Sequence, residues 1–288
     1  MKIASVDIGT NAVKSKIFET TPTSIKFIDG IRSPIRLGAE VFEIGKLSDK
    51  KLRELVSTLK RYQKKFTKDK IDQYEIIATS ALRNTTNSEE ARTYIENKIE
   101  HPIRIISGLE EAQLISFHPK AQQEKNKMYV DVGGGSTEIY LADDQEEKIK
   151  SFQLGGVRIL KKIDKKKNWI ELEKFLKDIC PSKIQNIIGV GGNAKLIIQA
   201  SKKEADFLSY KEMKETREIL KNTSVEKKIK EYDFPEDRAD IIEHAASIFE
   251  FIQNKFKKAN FYASSWNISD GFVQKKISSA QATSLEAS

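Results

Sequence analysis

Asp131-Val-Gly-Gly-Gly-Ser-Thr-Glu138 is a glycine-rich stretch that has a shorter counterpart near the N-terminus, Asp7-Ile-Gly-Thr-Asn11. Each stretch follows one apolar run and precedes another, a pattern that predicts a strand, a tight turn and a second strand. Because glycine has no Cβ, backbone N–H groups at such a turn can approach and bind phosphate oxygens. The sequence therefore predicts two β-hairpins whose tips are phosphate-binding loops.

The length and composition of the chain indicate two globular domains. It has 288 residues, 39% of them hydrophobic and 32% charged. We expect one domain at 1–122 and another at 123–288. The formal net charge of +8 favours polyanionic partners, although a lysine-rich solvated surface gives the same balance. The single Cys180 excludes an intrachain disulfide, and we expect a cytoplasmic protein with no membrane partner.

Strand-like and helix-like segments alternate along the chain, which predicts an α/β fold with sites beyond the carboxyl ends of the strands. Ser48 is placed to cap a helix whose apolar residues recur every three or four positions between Leu52 and Phe66. Glu75–Ala78 is predicted as a buried strand that runs into a polar loop at 79–84. The second half of the chain repeats the plan of the first.

Two adjacent carboxylates, Glu110 and Glu111, begin a predicted helix. Ser107 and Glu110 have the spacing of a capping box, in which the Glu side chain folds back to the N-cap amide. Glu111, about 100° further round the helix, is then available to orient or deprotonate a water molecule. The alternative is a solvated acidic residue, which is common in first helical turns.

Asp131 and Glu138 are candidate ligands for a divalent cation, because the predicted hairpin brings both carboxylates back to one place. Mg²⁺ typically takes one or two carboxylates together with water and phosphate oxygens. Asp7 holds the corresponding position in the first loop and is a third candidate metal ligand. An outward-facing strand residue is the alternative for Glu138. The expected cofactor is Mg²⁺ or another divalent cation.

Three further features are candidates for phosphate binding. Arg83 follows a strand end and its planar guanidinium suits a phosphate, although a surface salt bridge is an equal alternative. Gly191 and Gly192 end another predicted strand and can supply amides, although most such pairs are simple turns. The basic run Lys161–Lys167 either extends a track for a polyanion or solvates a helix face.

Eight motifs in order resemble the exopolyphosphatase / guanosine pentaphosphate phosphohydrolase (Ppx/GppA) family over nearly the whole chain. They are the stretches 7–11, 78–83, 106–112, 131–138, 154–158, 189–192, 238–242 and 269–271. Each motif is weak by itself, but their common order and spacing are specific.

The resemblance implies two ribonuclease-H-like domains of the actin-like/acetate kinase/Hsp70 superfamily, with the active site in a cleft between them. It implies that Glu111 is the general base and that Arg83 contacts the transferred phosphate as a second catalytic residue. Asp131 and Glu138 would hold the metal with Asp7 nearby. The expected phosphate-binding residues are Thr10, Asn11, Gly133, Gly134, Gly135, Ser136, Gly191 and Gly192.

The chain departs from the family pattern at three places. It has Ala12 where Ser is usual, Asn193 where Thr is usual, and Phe272 within a segment that is commonly Gly-Leu-Arg-Glu-Gly. These departures bear on the strength of the phosphate grip and on substrate choice. Longer members also carry C-terminal helical domains, so we expect limited processivity here.

The expected reaction is hydrolysis of the terminal phosphoanhydride of inorganic polyphosphate, with release of orthophosphate. A guanosine pentaphosphate 5′-phosphohydrolase is the alternative, because it shares every motif. A non-catalytic regulator that binds polyphosphate or nucleotide is another, although Glu111, Asp131 and Glu138 argue against it. The paired Glu residues also argue against an ATP-dependent kinase of the same superfamily. We expect no specific nucleic-acid partner and, at most, a homodimer.

Overall fold

The computed structural model describes residues 1–121, 126–142, 147–204 and 206–286. The chain divides into two compact units. Unit 1 consists of Met1–His118 together with Ile268–Ser288, and unit 2 consists of Pro119–Asn267. None of the helices in the described ranges has the length and apolar character needed to cross a bilayer.

Strands and helices alternate along the chain, as the sequence predicts. The elements up to residue 115 are β1 (Lys2–Ile8), β2 (Val13–Thr20), β3 (Ile25–Ser33), α1 (Leu37–Ile44), α2 (Asp49–Lys68), β4 (Gln73–Ala78), α3 (Ser80–Asn84), α4 (Ser88–Ile99), β5 (Ile103–Ile105) and α5 (Gly108–Ile115). The later elements are β6 (Lys127–Val132), β7 (Thr137–Ala142), β8 (Glu147–Phe152), α6 (Gly156–Leu160), α7 (Lys166–Lys177), β9 (Asn186–Val190), α8 (Gly192–Ala200), β10 (Phe207–Leu208), α9 (Tyr210–Asn222), α10 (Val225–Tyr232), α11 (Glu236–Ala239), α12 (Ile242–Lys255), β11 (Asn260–Ser264) and α13 (Ile268–Glu286).

The two sheets share one strand order. In unit 1 the order is β3-β2-β1-β4-β5, with β1–β3 antiparallel and β1, β4 and β5 parallel. In unit 2 the order is β8-β7-β6-β9-β11-β10, with the same directions in its first five strands. This is the ribonuclease-H-like order, so the predicted fold class and the predicted repeat of the plan are confirmed. The cleft between the domains stays a prediction.

Helix α2 shows how the sequence pattern builds the core of unit 1. Ser48 caps the helix as predicted, because its Oγ accepts a hydrogen bond from the Lys51 N–H. The apolar face is buried in one cluster with β1 residues such as Val6. Fully burying one such aliphatic side chain contributes roughly 1.5–3 kcal/mol, so this face holds the helix on the sheet. The helix contributes Leu52, Leu55, Val56, Leu59, Tyr62 and Phe66 to the cluster.

The C-terminal helix α13 belongs to unit 1, whereas the sequence analysis places all of 123–288 in the second domain. The predicted boundary at 122–123 lies outside the described residues, and the division falls between His118 and Pro119. Strand β1 gives the physical reason, because every residue of Ile3–Ile8 is buried. Both faces of the strand therefore need cover, and α13 covers the face that α2 does not.

An apolar contact and an ion pair join α13 to the first hairpin. Val273 is fully buried against Ile3 and Phe18. Lys16 Nζ, on the same face of the sheet, lies 2.5 Å from Asp270 Oδ2. Both groups are largely shielded from solvent, which strengthens their attraction relative to a surface pair.

A close approach also joins α13 to α5, the helix that carries the paired carboxylates. A Cβ added at Gly271 would lie 2.1 Å from the Leu114 carbonyl oxygen, so the backbones meet too closely for any side chain there. The neighbouring Phe272 packs against Ile77, Ile106 and Leu114. This departure from the family pattern therefore fills an apolar cluster beneath α5.

Residues 79–84 differ from the prediction of a polar loop. Ser80–Asn84 form the short helix α3, and the Arg83 N–H donates to the carbonyl of the N-cap residue Thr79 at 3.0 Å. Ala81 and Leu82 are both 0% exposed and belong to the core of unit 1. Burial of these two apolar side chains stabilises a helical turn in this segment. The sequence predicts a loop instead, because most of the neighbouring residues are polar.

We expect Val273→Ala to lower the free energy of unfolding of unit 1 by about 1–3 kcal/mol, because it leaves a cavity against Ile3 and Phe18. Hydrogen exchange of the β1 amides measures this for unit 1 alone. Ser279→Ala, at an exposed position of the same helix, is the control and should change little. Unchanged exchange in Val273→Ala would show that α13 does not hold the sheet.

Candidate active site

The first predicted phosphate loop is the tip of the β1–β2 hairpin. Asp7 and Lys14 are directly opposite each other in the register of the two strands. The Gly9 N–H donates to the Ala12 carbonyl at 3.1 Å and closes the turn at residues 10–11. The hairpin therefore forms where the sequence predicts it.

Backbone donors from the next helix hold the carbonyls of this turn. The Gly38 N–H donates to the Thr10 carbonyl at 2.8 Å, and the Arg36 N–H donates to the Asn11 carbonyl at 2.9 Å. The Thr10 hydroxyl also lies 2.6 Å from the Ser80 hydroxyl at the start of α3. Because both turn carbonyls are satisfied by α1 and the residue before it, the turn is fixed in one orientation.

Asp7 is a buried carboxylate at the base of this loop, only 6% exposed. Lys14 Nζ lies 3.5 Å from its Oδ2, and within the described residues its Oδ1 has no hydrogen-bond partner. Burial raises the pKa of the Asp7 carboxyl above its ordinary value of 3.8, and Lys14 acts in the opposite direction. A buried carboxylate with an unsatisfied oxygen is stabilised by an additional cation.

The second predicted phosphate loop is the tip of the β6–β7 hairpin and repeats this geometry. Asp131 is directly opposite Glu138 in the register. The Gly133 N–H donates to the Ser136 carbonyl at 2.9 Å, which places residues 134–135 at the turn. The two hairpins are thus equivalent in register and turn.

The carbonyls of the second turn are likewise held by a following helix. The Gly156 N–H donates to the Gly133 carbonyl at 3.0 Å, and the Val157 N–H donates to the Gly134 carbonyl at 2.9 Å. Within the described residues, no hydrogen bond uses the N–H groups of Gly134 or Gly135. A turn whose carbonyls are satisfied and whose amides remain as donors is suited to bind an anion.

Two residues that the sequence analysis left without a role support this turn. Arg158 is buried, and its Nε donates to the Gly135 carbonyl at 2.6 Å. A Cβ added at Gly155 would lie 2.5 Å from the Gly134 carbonyl oxygen and 2.7 Å from the Gly135 nitrogen. Both residues belong to the 154–158 motif, but the sequence alone does not indicate that this motif contacts the second loop.

Asp131 and Glu138 form a pair of carboxylates beside the second loop. Glu138 is buried and accepts a hydrogen bond from Ser151 Oγ at 2.8 Å, while Asp131 is half-buried. Directly opposite residues of this kind have Cβ atoms about 4.5–5.5 Å apart, and like charges there repel. A divalent cation would relieve that repulsion. The residues therefore fit a cation site with two carboxylate ligands.

The set of protein ligands at this site is small. Among the described residues there is no group of three or more His, Cys, Asp or Glu side chains that could hold a metal. Asp7, the third candidate ligand, is paired with Lys14 in unit 1. Mg²⁺ tolerates a small protein set, because it commonly keeps waters and binds substrate phosphates.

Gly191 and Gly192, which are expected to supply amides, lie close to two side chains. Gly191 has φ 83°, and its N–H donates to the Trp266 carbonyl at 3.1 Å, so this amide is used within unit 2. A Cβ added at Gly191 would lie 3.3 Å from Asp131 Oδ1. One added at Gly192 would collide with the Arg238 guanidinium. These glycines therefore make room for the side chains of Asp131 and Arg238.

Two departures from the family pattern have structural partners. Asn193 is buried, and its Nδ2 donates to the Val132 carbonyl at 2.8 Å, which braces the strand that enters the second loop. Ala12 is buried, and its carbonyl accepts the hydrogen bond that closes the first loop.

The structure brings the two predicted catalytic residues together. Arg83 Nη1 donates to Glu111 Oε2 at 2.7 Å and to the Ile106 carbonyl at 2.6 Å. The Glu111 side chain is only 11% exposed. The capping box of Ser107 and Glu110 is confirmed, and the Ser107 N–H lowers the pKa of the Glu110 carboxyl. Glu110 thus orders the helix start, while Glu111 faces Arg83.

We expect Asp7→Asn to raise the free energy of unfolding of unit 1 at pH 7, because it removes a charge whose burial is unfavourable. The pKa of Asp7 is raised in the folded state above its ordinary value of 3.8. Protonation of the carboxyl therefore stabilises the folded wild type fully below pH 3.8, and this stability is lost as the pH rises through the pKa of the folded state. The gain from Asp7→Asn should therefore vanish at low pH.

Denaturant unfolding across this pH range, followed by exchange of the β1 amides, measures the effect. Glu19→Gln, at an exposed site on the same hairpin, is the control and should change the stability little at pH 7. A destabilised Asp7→Asn at pH 7 would mean that Lys14 outweighs the cost of burying the carboxylate.

We expect Gly155→Ala to displace the Gly134–Gly135 turn and to weaken phosphate binding by at least about tenfold, because the turn amides lose their common direction. Calorimetric titration with tripolyphosphate in the presence of Mg²⁺ measures the affinity. Gly30→Ala, at a looser contact in unit 1, is the control and should bind normally. Normal binding by a folded Gly155→Ala would remove this turn from the phosphate site.

Relatives of this chain are found by both sequence and structure. Guanosine-5′-triphosphate,3′-diphosphate pyrophosphatases from Aeromonas hydrophila and Aeromonas salmonicida are 26% identical over 157 residues, which is 54% of this chain and 32% of each relative. The match thus spans about a third of the length of these curated relatives.

Solved structures confirm the fold over nearly the whole chain. An exopolyphosphatase from Cytophaga hutchinsonii is 19% identical with a TM-score of 0.81, covering 96% of this chain and 98% of that one. A Ppx/GppA family member from Aquifex aeolicus is 23% identical with a TM-score of 0.73, covering 96% and 97%. The sequence profile of the Ppx/GppA phosphatase family matches residues 16–280. The chain therefore belongs to the Ppx/GppA phosphatase family.

Proposed function

We propose that this protein is an exopolyphosphatase, which hydrolyses the terminal phosphoanhydride of inorganic polyphosphate and releases orthophosphate. The observation that carries the proposal is the β6–β7 hairpin tip. The Gly134 and Gly135 amides are donors for an anion, and the Asp131–Glu138 pair beside them is a ligand set for a cation. A phosphate chain with its Mg²⁺ needs both at one place.

Asp131 and Glu138 are the residues that would hold the divalent cation, and Asp7 is the proposed additional ligand. When bound, the cation offsets negative charge on the transferring phosphoryl group. Ser151 supports this role, because its hydrogen bond fixes the orientation of the Glu138 carboxylate. Thr10 and Asn11, at the tip of the first hairpin, are proposed to contact further phosphates.

Glu111 is the proposed general base, and Arg83 both orients it and binds phosphate. Within the described chain, both hydrogen bonds of Arg83 use Nη1, so its other nitrogens remain as donors. A phosphate that binds to Arg83 competes with Glu111 for the guanidinium. Weakening that pair makes the Glu111 carboxylate a better proton acceptor, so substrate arrival itself would activate the base.

The alternative substrate is guanosine pentaphosphate, hydrolysed at its 5′ end. The names of the two Aeromonas relatives, both guanosine-5′-triphosphate,3′-diphosphate pyrophosphatases, favour it. The name of the Cytophaga hutchinsonii structure and the net charge of +8 favour polyphosphate. The basic balance of the chain suits the longer polyanion, so we favour polyphosphate.

We expect Glu111→Gln to lower orthophosphate release from polyphosphate by about 10²–10⁴-fold, because the amide cannot accept a proton. Binding of polyphosphate should stay within about threefold of wild type, since the loop amides are unchanged. Glu110→Gln is the matched control, because that neighbour caps the helix and should affect stability rather than turnover. Retained turnover in Glu111→Gln would remove Glu111 from the mechanism.

The same assay separates the alternatives when long polyphosphate, tripolyphosphate and guanosine pentaphosphate are compared at equal concentrations of chain ends with Mg²⁺. Faster release from polyphosphate supports the proposal, and faster release from the nucleotide assigns the alternative. Binding without release from any of them, at every Mg²⁺ concentration, would make this chain a regulator rather than an enzyme.

A further inference from the structure

A basic groove lies on unit 1 between helices α2 and α4, apart from the residues assigned to the active site. Its volume is about 460 Å³, within the size range of ligand sites. The residues that line it are Arg53, Val56, Ser57, Lys60, Arg61, Lys64 and Tyr94. Four of these seven carry a positive charge and none carries a negative charge.

The four cations are not neutralised by neighbouring carboxylates. Among the described residues, no Asp or Glu forms an ion pair with Arg53, Lys60, Arg61 or Lys64. Elsewhere on α2 such pairs do form, because Lys65 binds Asp29 and Asp69 in the same turns of the helix. Uncompensated like charges that line one groove repel one another, and a bound polyanion would relieve that repulsion.

The spacing of the cations matches a linear ligand. The cations at 53, 60, 61 and 64, with Ser57 between the first two, follow the three- and four-residue spacing of one helix face. With a rise of 1.5 Å per residue, Arg53 and Lys64 are about 16 Å apart along the axis. A single compact phosphate would meet only part of this row, whereas a chain of linked phosphates can contact all of it.

We propose that the α2–α4 groove is a second binding site for inorganic polyphosphate, which holds a part of the chain remote from the bond being cleaved. The identity of this occupant rests on the proposed function. Single-stranded nucleic acid would need aromatic side chains on which successive bases stack. The groove offers one aromatic residue, Tyr94, and it is half-buried, so the polyphosphate chain is the better fit.

A hydrogen-bond network links the groove to the first phosphate loop. Arg61 Nη2 donates to Ser33 Oγ at 2.7 Å, and the neighbouring Tyr62 hydroxyl lies 2.9 Å from the same atom. Ser33 pairs with Val13, the first strand residue after the loop, whose carbonyl accepts from Tyr62 at 3.0 Å. A chain held in the groove would therefore be tethered to the unit that carries this loop, which raises its local concentration there.

The test compares Lys60→Glu/Lys64→Glu with Lys50→Glu/Lys68→Glu, two double variants of α2 with the same change in charge. Lys50 and Lys68 are exposed and do not line the groove. Binding of end-labelled long polyphosphate is followed by fluorescence anisotropy over a salt series, with each pair placed in the Glu111→Gln background to prevent hydrolysis. Tripolyphosphate hydrolysis is measured with each pair in the otherwise wild-type protein.

We expect the groove pair to weaken long-chain binding at least tenfold and to reduce the slope of log affinity against log salt by about two, one unit for each lost cation contact. The control pair should change neither value. The kcat and KM for tripolyphosphate should be unchanged in both pairs, because none of the substituted lysines is among the residues assigned to the active site.

Normal long-chain binding by the groove pair, or an equal loss in the control pair, would overturn the proposal. The proposal would also be overturned if, in the same binding assay, the groove pair lost affinity for single-stranded RNA but not for polyphosphate. The groove would then be a nucleic-acid site. The test is separate from that of the proposed function. The wild-type protein could release no orthophosphate while the groove pair still loses polyphosphate binding. That result would support the groove site and reject the proposed enzymatic function.

Discussion

The hydrogen bonds that hold the turn carbonyls of each hairpin are the constraint on which the candidate site depends. In both units these carbonyls accept from backbone N–H groups at the beginning of the following helix, at 2.8–3.0 Å. A peptide group that commits its carbonyl to the protein on one side presents its amide on the other. The direction of the turn amides in each loop is thus set by α1 or α6, and the glycines permit the close approach of turn and helix.

The two hairpins share this frame but differ in charge. In unit 1 a carboxylate faces an amine, Asp7 opposite Lys14, so that pair carries little net charge. In unit 2 a carboxylate faces a carboxylate, Asp131 opposite Glu138, so these two like charges repel each other. Among the described residues, the repeated fold therefore supplies two equivalent turns, and the proposed cation site is beside the second of them. This difference in charge arises at one position in each hairpin, which is Lys14 in β2 and Glu138 in β7.

Local features of the fold and site were predictable from the sequence, and long-range ones were not. The caps at Ser48 and Ser107 and both hairpins depend on residues within a few positions of one another. The Arg83–Glu111 ion pair and the Arg158 support of the second loop join residues more than twenty positions apart, which no periodicity encodes. The assignment of α13 failed for the same reason, because its partners lie in the first strands of the chain.

Three contacts determine the position of Glu111, and one of them involves helix α13. The capping box orders the start of α5, Arg83 holds the carboxylate, and α13 packs against the end of α5 where Gly271 meets Leu114. Since α13 follows the whole of unit 2 in the sequence, unit 1 lacks one of its sheet covers until unit 2 has been synthesised. The geometry of the proposed base therefore depends on contacts between two segments that lie on either side of unit 2 in the sequence.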